Sequence, residues 1–324
     1  MSFINHRLIA ACVVAAAALG ASLPATAQEL GDLTITAPAG AGGGWDSLAR
    51  NLQETMMKTG TAKNVQVVNV PGAGGTVGLA QFSQSAKGAA DQLLVGGLVM
   101  VGAIITNKSP VNLTNVTPIA RLTSDPMVVV VPKDSPIQSL ADLTAKIKSD
   151  VGGTVWAGGS AGGADHILAG LITQAAGGDP AKVNYVAYSG GGEALAALLG
   201  GQVTAGISGY GEFQGQIESG DLRALAISYP EPVEGIAAQP LKAQGVDVEM
   251  ENWRGVFAGP DLADADRQAL SAAVEKTVKS PEWAEVLKAR GWTDAYQGPD
   301  EFKAFVEAEN TRITEVLKAI GLAQ

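Results

Sequence analysis

The chain has 324 residues, 46% of them hydrophobic, and 22 Lys and Arg against 32 Asp and Glu, for a formal net charge of −10 and a pI near 4.7. That length is about two domains' worth, the apolar fraction suffices for packed cores, and the acidity argues against nucleic acid or an anionic membrane as partner. A small anion is not excluded, because backbone N–H groups act locally and the Debye length is only about 8 Å at physiological salt.

The first segment, MSFINHRLIAACVVAAAALGASLPATAQ, carries Arg7, an apolar run from Leu8 to Leu19 and the small-residue site Ala25-Thr26-Ala27. It predicts a signal peptide over residues 1–27, cleaved near Gln28, and hence a periplasmic protein. The run is too short to span a membrane, and nothing later supplies ~20 consecutive apolar residues. Ile9-Ala10-Ala11-Cys12 formally fits a lipoprotein box, but only four residues separate Arg7 from Cys12 and the apolar run continues past it. Cleavage removes Cys12, the only cysteine, so neither a disulfide nor a thiolate nucleophile is expected. It also removes Arg7, leaving 21 basic residues against 32 acidic ones.

Beyond it, LTIT (33–36), VQVVNV (65–70), LLVGG (93–97), MVVVVP (127–132), TVWAG (154–158), VNYVAY (183–188), VTAGIS (203–208) and LRALAIS (222–228) read as buried strands. Between them lie the amphipathic stretches SLARNLQETMMK, SLADLTAKIK, HILAGLITQAAG and GEALAALLGG. Strand and helix in alternation predict an α/β fold with parallel sheets covered by helices on both faces. The last part is helical: ADADRQALSAAVEKTVKS, then a helix capped by Ser280 with Pro281 first, then PDEFKAFVEAENTRITEVLKAIG ending at Gly321.

One segment echoes another. GGWDSLARNL (43–52) aligns with GGADHILAGL (162–171): two glycines, one variable residue, an aspartate, then apolar residues in the same helical register, each copy after a strand. The pair predicts two lobes presenting matching loops to one cleft.

Five glycine loops follow strands. Loop one, Gly40 to Asp46, fails the dinucleotide fingerprint, because Trp45 or Ser47 stands where the third glycine belongs, and it lacks the Lys of a Walker loop. What remains is a run of N–H donors at a positive helix end, Gly43 and Gly44 among them, with Asp46 placed to cap and Trp45 to wall a pocket. Loop two, NVPGAGGTVGLAQF (69–82), fails at Val77 and offers Gly74, Gly75 and Thr76 as donors. Loop three, GGSAGGADH (158–166), matches G-x-S-x-G around Ser160, but His166 is the only histidine left after signal removal and lies six residues on, so no ordinary triad assembles. Loop four, YSGGGEALAALLGG (188–201), brings Tyr188, Ser189, the glycines about Gly191, and Glu193 in a first turn. Loop five, SGYGEF (208–213), offers Ser208 or Tyr210. With one histidine and no cysteine, no zinc or iron site is expected and no cofactor is called for, Asp46 and Asp165 being at most weak oxygen ligands.

Together PAGAGGGWDSLAR, VVNVPGAGGTVG, GGSAGGADHILAGL, VNYVAYSGGGEALAALLGGQVTAGISGYGEF, IESGDLRALAIS and NWRGVFAGP, in this order from about residue 31 to 320, resemble the extracytoplasmic substrate-binding receptors of tripartite tricarboxylate transporters, the Bug receptors. The resemblance implies a two-lobed type II periplasmic binding protein, a Venus flytrap with two parallel-rich sheets flanked by helices. Lobe 1 is then residues 28–122 plus 254–324 and lobe 2 residues 123–253, with crossovers near 120–128 and 250–256. It implies a monomer with no enzymatic activity that hands a small carboxylate to a membrane permease. In that family the carboxylate is held largely by backbone amides. This carries over to Gly43, Gly44, Trp45 and Asp46, to Thr76, and to Ser160, Gly163 and Asp165; Tyr188, Gly191 and Ser208 join them from their loops. AADQLLVGG (89–97) stands where most members have a DGYTL-like segment. The Gly-Trp-Asp loop and AYSGGGEALAALLGG look most like members that serve citrate-type tricarboxylates. Two other classes share some features: a secreted serine hydrolase resting on Ser160, and a sensor presenting its ligand to a signalling kinase.

Overall fold

The computed structural model describes residues 29–188 and 190–323. The expected signal peptide, its cleavage site, Cys12 and Ser189 lie outside the described residues.

Strand β1 (Leu30–Ala37) leads into α1 (Gly44–Lys58) and β2 (Ala62–Asn69); α2 (Thr76–Ser85) returns to β3 (Gln92–Gly97), which passes straight into α3 (Leu98–Thr106). β1 pairs in parallel with both β2 and β3. After β4 (Thr117–Pro132) and α4 (Leu140–Ser149) the pattern repeats in β5 (Val155–Gly158), α5 (Ala164–Ala175), β6 (Asn184–Ala187), α6 (Gly191–Leu199) and β7 (Ala205–Gly209), with β5 parallel to β6 and β7. Then come α7 (Tyr210–Glu218), β8 (Leu222–Ile227), β9 (Glu251–Ala258), α8 (Asp264–Val278), α9 (Pro281–Arg290), β10 (Thr293–Gln297) and α10 (Pro299–Ala319). Each half is thus an α/β unit in which parallel strands alternate with helices.

The strand order β2-β1-β3-β9-β4-β7-β5-β6 runs through both halves, and β4 joins them. From Thr117 to Pro126 it pairs antiparallel with β9; from Met127 its partners are β7 and β8, also antiparallel. The alternating strand–helix units are thus parallel, as their order predicts, while β4, β8, β9 and β10 bring antiparallel pairing. β4 is buried on both faces, and successive side chains serve different cores: Val129 and Val131 pack in the main cluster, Val128 and Val130 with Leu198 and Phe213 under α6 and α7.

Helix α1 shows how the pattern works. Leu48, Leu52 and Met56 stand four residues apart and are wholly buried, each worth roughly 1.5–3 kcal/mol relative to an exposed side chain. Ser280 caps α9 through a bond from Trp283 N–H, with Pro281 in its first turn, as expected.

Two of the expected buried strands, VQVVNV and VNYVAY, are edges instead: among the described residues β2 pairs only with β1 and β6 only with β5, and Val68 and Val186 are exposed. At the start of α2 the N-cap is Gly75, and the Thr76 hydroxyl donates to Ala73 O at 3.0 Å.

Candidate functional site

The first strands of each half end in glycine loops that face one another across a cavity of about 450 Å³. Gly40, Gly43, Gly44 and Trp45 form one wall, the turn Pro71 to Gly75 a second, Gly159 to Ala161 with Asp165 a third, and Tyr188, Gly190 and Gly191 a fourth. Ser208, Gly209, Glu212, Asn252 and Arg254 lie at the base, and Val99 of α3, Asn107 just after it, Pro38, Ala39 and Ala187 also line the cavity. The loops approach closely: a Cβ on Gly190 would lie 3.9 Å from Gly43 Cα.

Loop one is held from behind. Asp46 is not the N-cap of α1; that place belongs to Gly43, and Asp46 is inside the first turn with its carboxylate directed back. It accepts from Gly42 N–H at 2.8 Å, Arg50 Nε at 3.0 Å and Asn69 Nδ2 at 2.9 Å, and Asn69 Nδ2 also bonds Ala39 O. Burial pushes the Asp46 pKa up, but these donors outweigh it and hold the carboxyl below its ordinary value. With Asp46 absorbed, the N–H groups at the start of α1 are left for whatever enters the cavity. Trp45 lies against Gly75, whose φ of +91° and missing side chain make room for the ring.

Loop three repeats the arrangement. Asp165 also turns back onto its own loop, accepting from Gly159 N–H at 2.5 Å, but it reaches six residues back where Asp46 reaches four. Any side chain at Gly163 would strike Ser160 Oγ and Val99. Ser160 is nine-tenths buried, and its Oγ has no hydrogen-bond partner among the described residues although it lines the cavity. His166 does not serve it: His166 Nδ1 accepts from Gly162 N–H at 3.2 Å and its ring stacks on Tyr185 at 4.2 Å. Burial pushes the His166 pKa down to about 4, so the ring is neutral at neutral pH.

Of the residues expected at the site, Gly43, Gly44, Trp45, Ser160, Asp165, Tyr188, Gly191 and Ser208 line the cavity, whereas Asp46, Thr76 and Gly163 stand behind it as supports. Tyr210 packs in the second core instead.

Sequence reasoning missed the base. Arg254 of β9 pairs with Asp125 of β4, lies 3.9 Å from Glu212 of α7, and donates to Gly44 O at 3.1 Å. Glu212 accepts from Gly191 N–H at 3.2 Å and from the Ser208 hydroxyl. A side chain at Gly44 would come within 2.8 Å of Arg254 Cζ and 3.0 Å of Glu212 Oε1, so glycine is needed where α1 meets this network. The available signal was a lone Arg between Trp253 and Gly255 ahead of the apolar run Val256 to Ala258, and an acid right after Tyr210-Gly211.

The sequence pattern of the tripartite tricarboxylate transporter family receptor matches residues 48–322. Protein BugT of Bordetella pertussis is 28% identical over 313 residues, covering 95% of each chain. Among solved structures, MatC of Rhodopseudomonas palustris, which holds malate, superposes with a TM-score of 0.79 at 23% identity over 89% of this chain and 99% of its own. A second R. palustris protein, solved with adipate, gives 0.82 at 21% identity over 90% and 98%.

Proposed function

The chain belongs to the tripartite tricarboxylate transporter receptor family, and we propose that it captures a di- or tricarboxylate of the citrate type in the cavity between its lobes and delivers it to the transporter's membrane permease. What carries this reading is the meeting of the α1 and α5 N-termini at one cavity with the unpartnered Ser160 hydroxyl between them. Exposed helix N-termini and glycine-loop N–H groups recognise carboxylates without needing arginines, which suits an acidic chain. A cavity of about 450 Å³ accommodates a small tricarboxylate with ordered water. The malate and adipate held by proteins of the same fold support an acid as ligand.

Capture proceeds by closure. The expected lobes, residues 28–122 with 254–324 and 123–253, move relative to each other about their two connections, Thr123 to Pro126 of β4 and Glu251 to Trp253 of β9, which pair with each other before β4 changes partners at Met127. An open receptor offers both loops to solvent; a carboxylate bridging them draws the lobes together, excludes water and strengthens each charge-assisted hydrogen bond. The ligand leaves chemically unchanged to the permease, and the receptor works as a monomer in the periplasm.

Thermal unfolding against citrate, isocitrate, tricarballylate, succinate, malate, adipate and glutamate tests this. Ligand at 100 times its dissociation constant adds about 2.7 kcal/mol, a shift of several degrees for a chain of this size. A shift with citrate-like acids supports the reading; a shift with glutamate alone replaces the ligand; no shift with any of them refutes carboxylate capture.

A further inference from the structure

The base of the cavity has the wrong charge for its proposed ligand. Arg254 is the only cationic side chain among the cavity-lining residues described, and it is already engaged by Asp125 behind it and faces Glu212 beside it. Two carboxyls, Glu212 and Asp165, line the same cavity. His166, which could have supplied a balancing charge, has its Nδ1 occupied by the Gly162 N–H and its ring buried against Tyr185. Arg50, the next basic side chain, is spent on Asp46 outside the cavity. With every acid ionised, Asp125, Glu212, Asp165 and Arg254 sum to −2 before any ligand enters, and a dicarboxylate brings −2 more into a space that closure dries. Like charges packed this way cannot all stay ionised.

Resting on the carboxylate reading, we propose that the cavity captures its ligand together with a proton, which the acid pair Glu212 and Asp165 holds. Glu212 of α7 faces Arg254 of β9, Asp125 of β4, the Ser208 hydroxyl at the end of β7, the Gly191 N–H at the start of α6, and, electrostatically, Asp165 of α5. Asp165 in turn faces the Gly159 N–H after β5, Tyr185 of β6, Glu212 and, more distantly, Arg254. Against these three acids stands one guanidinium. Burial first, and the neighbouring Glu212 charge second, push Asp165 up to about 7, and burial raises Glu212 as well, so the empty site is already poised to titrate near neutrality. A bound carboxylate raises both further. No bond is made or broken beyond the transfer of a proton from solvent to a carboxylate oxygen, and it returns to solvent on release.

The proton makes the receptor a pH-graded trap: affinity is highest on the acid side and weakens as the medium turns alkaline. Where one proton is taken up per ligand, affinity falls about tenfold per pH unit. Malate, succinate and adipate serve as probes because they are fully ionised between pH 7.5 and 9 and contribute no protons of their own. Calorimetric titration at pH 7.5 in Hepes and in Tris reads the uptake directly, since a proton gained by the complex is surrendered by the buffer and the two buffers ionise with different heats.

The expected result is a buffer-dependent heat corresponding to a proton gained by the complex, with affinity dropping about tenfold from pH 8 to pH 9. In the variant combining Asp165→Asn with Glu212→Gln the heat becomes the same in both buffers and the affinity pH-independent. If that variant does not fold, as unfolding curves will tell, the two-buffer comparison on the unaltered protein decides by itself. Tight binding with equal heats in both buffers overturns the proposal while leaving carboxylate capture intact. Absence of binding by any of the three acids, or by citrate, overturns capture and the proton with it.

Discussion

Gly102 lies in the middle of α3, where glycine is a poor choice: replacing it with alanine in an unhindered helix gains about 1 kcal/mol. The reason for glycine is on the far side of the cavity. A Cβ there would lie 3.3 Å from both Gly162 C and Ile167 Cδ1 and much closer still to the Gly162 carbonyl oxygen, so α3 of one half abuts loop three of the other, backbone to backbone. Gly102→Ala therefore acts differently on the two states that closure connects. In an open form the contact is absent and the extra methyl only improves helix propensity. In the closed form it also forces rigid main chain apart, and overpacking of that kind costs typically 1–3 kcal/mol. The helix gain is common to both states and cancels, so ligand affinity falls by about 1–3 kcal/mol, roughly five-fold to somewhat over a hundred-fold, while the ligand-free protein melts no lower than the unaltered one. Calorimetric titration and ligand-free melting curves on the same preparations check both halves. Unchanged affinity would refute the closure argument, and a lower melting temperature without ligand would show that the contact persists in the empty protein.

Three further outcomes are expected. Ser160→Ala leaves the empty protein as stable as before or slightly more so, because a buried unpartnered hydroxyl is removed, yet weakens carboxylate binding by about 1 kcal/mol, near five-fold, as titration will read. Asp46→Ala strands the Gly42 N–H, Arg50 and Asn69 and costs about 1–3 kcal/mol of stability; because the Asp46 pKa is lowered in the folded chain, that contribution is present above its unfolded value and is lost as pH falls through the folded one, which melting below pH 4 detects. Asp125 and Asp165 act in the opposite sense. Their folded values are raised from 3.8 to about 7, so between those limits the folded chain holds protons the unfolded chain has released, and the stability of the empty protein falls as pH rises through this window; melting temperatures from pH 4 to 8 should decline, and less steeply in Asp165→Asn.

The layout was legible where a single rule governed it. Alternating β-branched runs and amphipathic stretches marked the strand–helix units, since both faces of those sheets are covered and the apolar runs are continuous. Helix α3 was not legible because LVMVGAIIT is apolar all round and follows the apolar strand LLVGG without a break, so no periodicity marks where strand becomes helix. β10, TDAYQ, is too polar to read as a strand and forms only because β4 is there to pair with it. At the site, the loops could be found because glycine after a strand has few uses. The charged base could not, since Asp125, Glu212 and Arg254 are separated by 42 residues or more and meet only when β4, α7 and β9 converge. The aspartates of the echoed loops were correctly singled out, but one only braces its loop while the other also faces the cavity. The difference follows the residue one turn on: Arg50 answers the Asp46 carboxylate, whereas Ala169 stands at the matching place after Asp165 and offers nothing to pair with it.

The central claim is that a carboxylate sits between loop one and loop three. A crystal structure grown with citrate tests it most directly. The account predicts a citrate carboxylate within hydrogen-bond distance of the backbone N–H groups at the starts of α1 and α5 and of Ser160 Oγ, with Gly102 still against Gly162. A citrate bound elsewhere, or a cavity holding only water at saturating citrate, would contradict it.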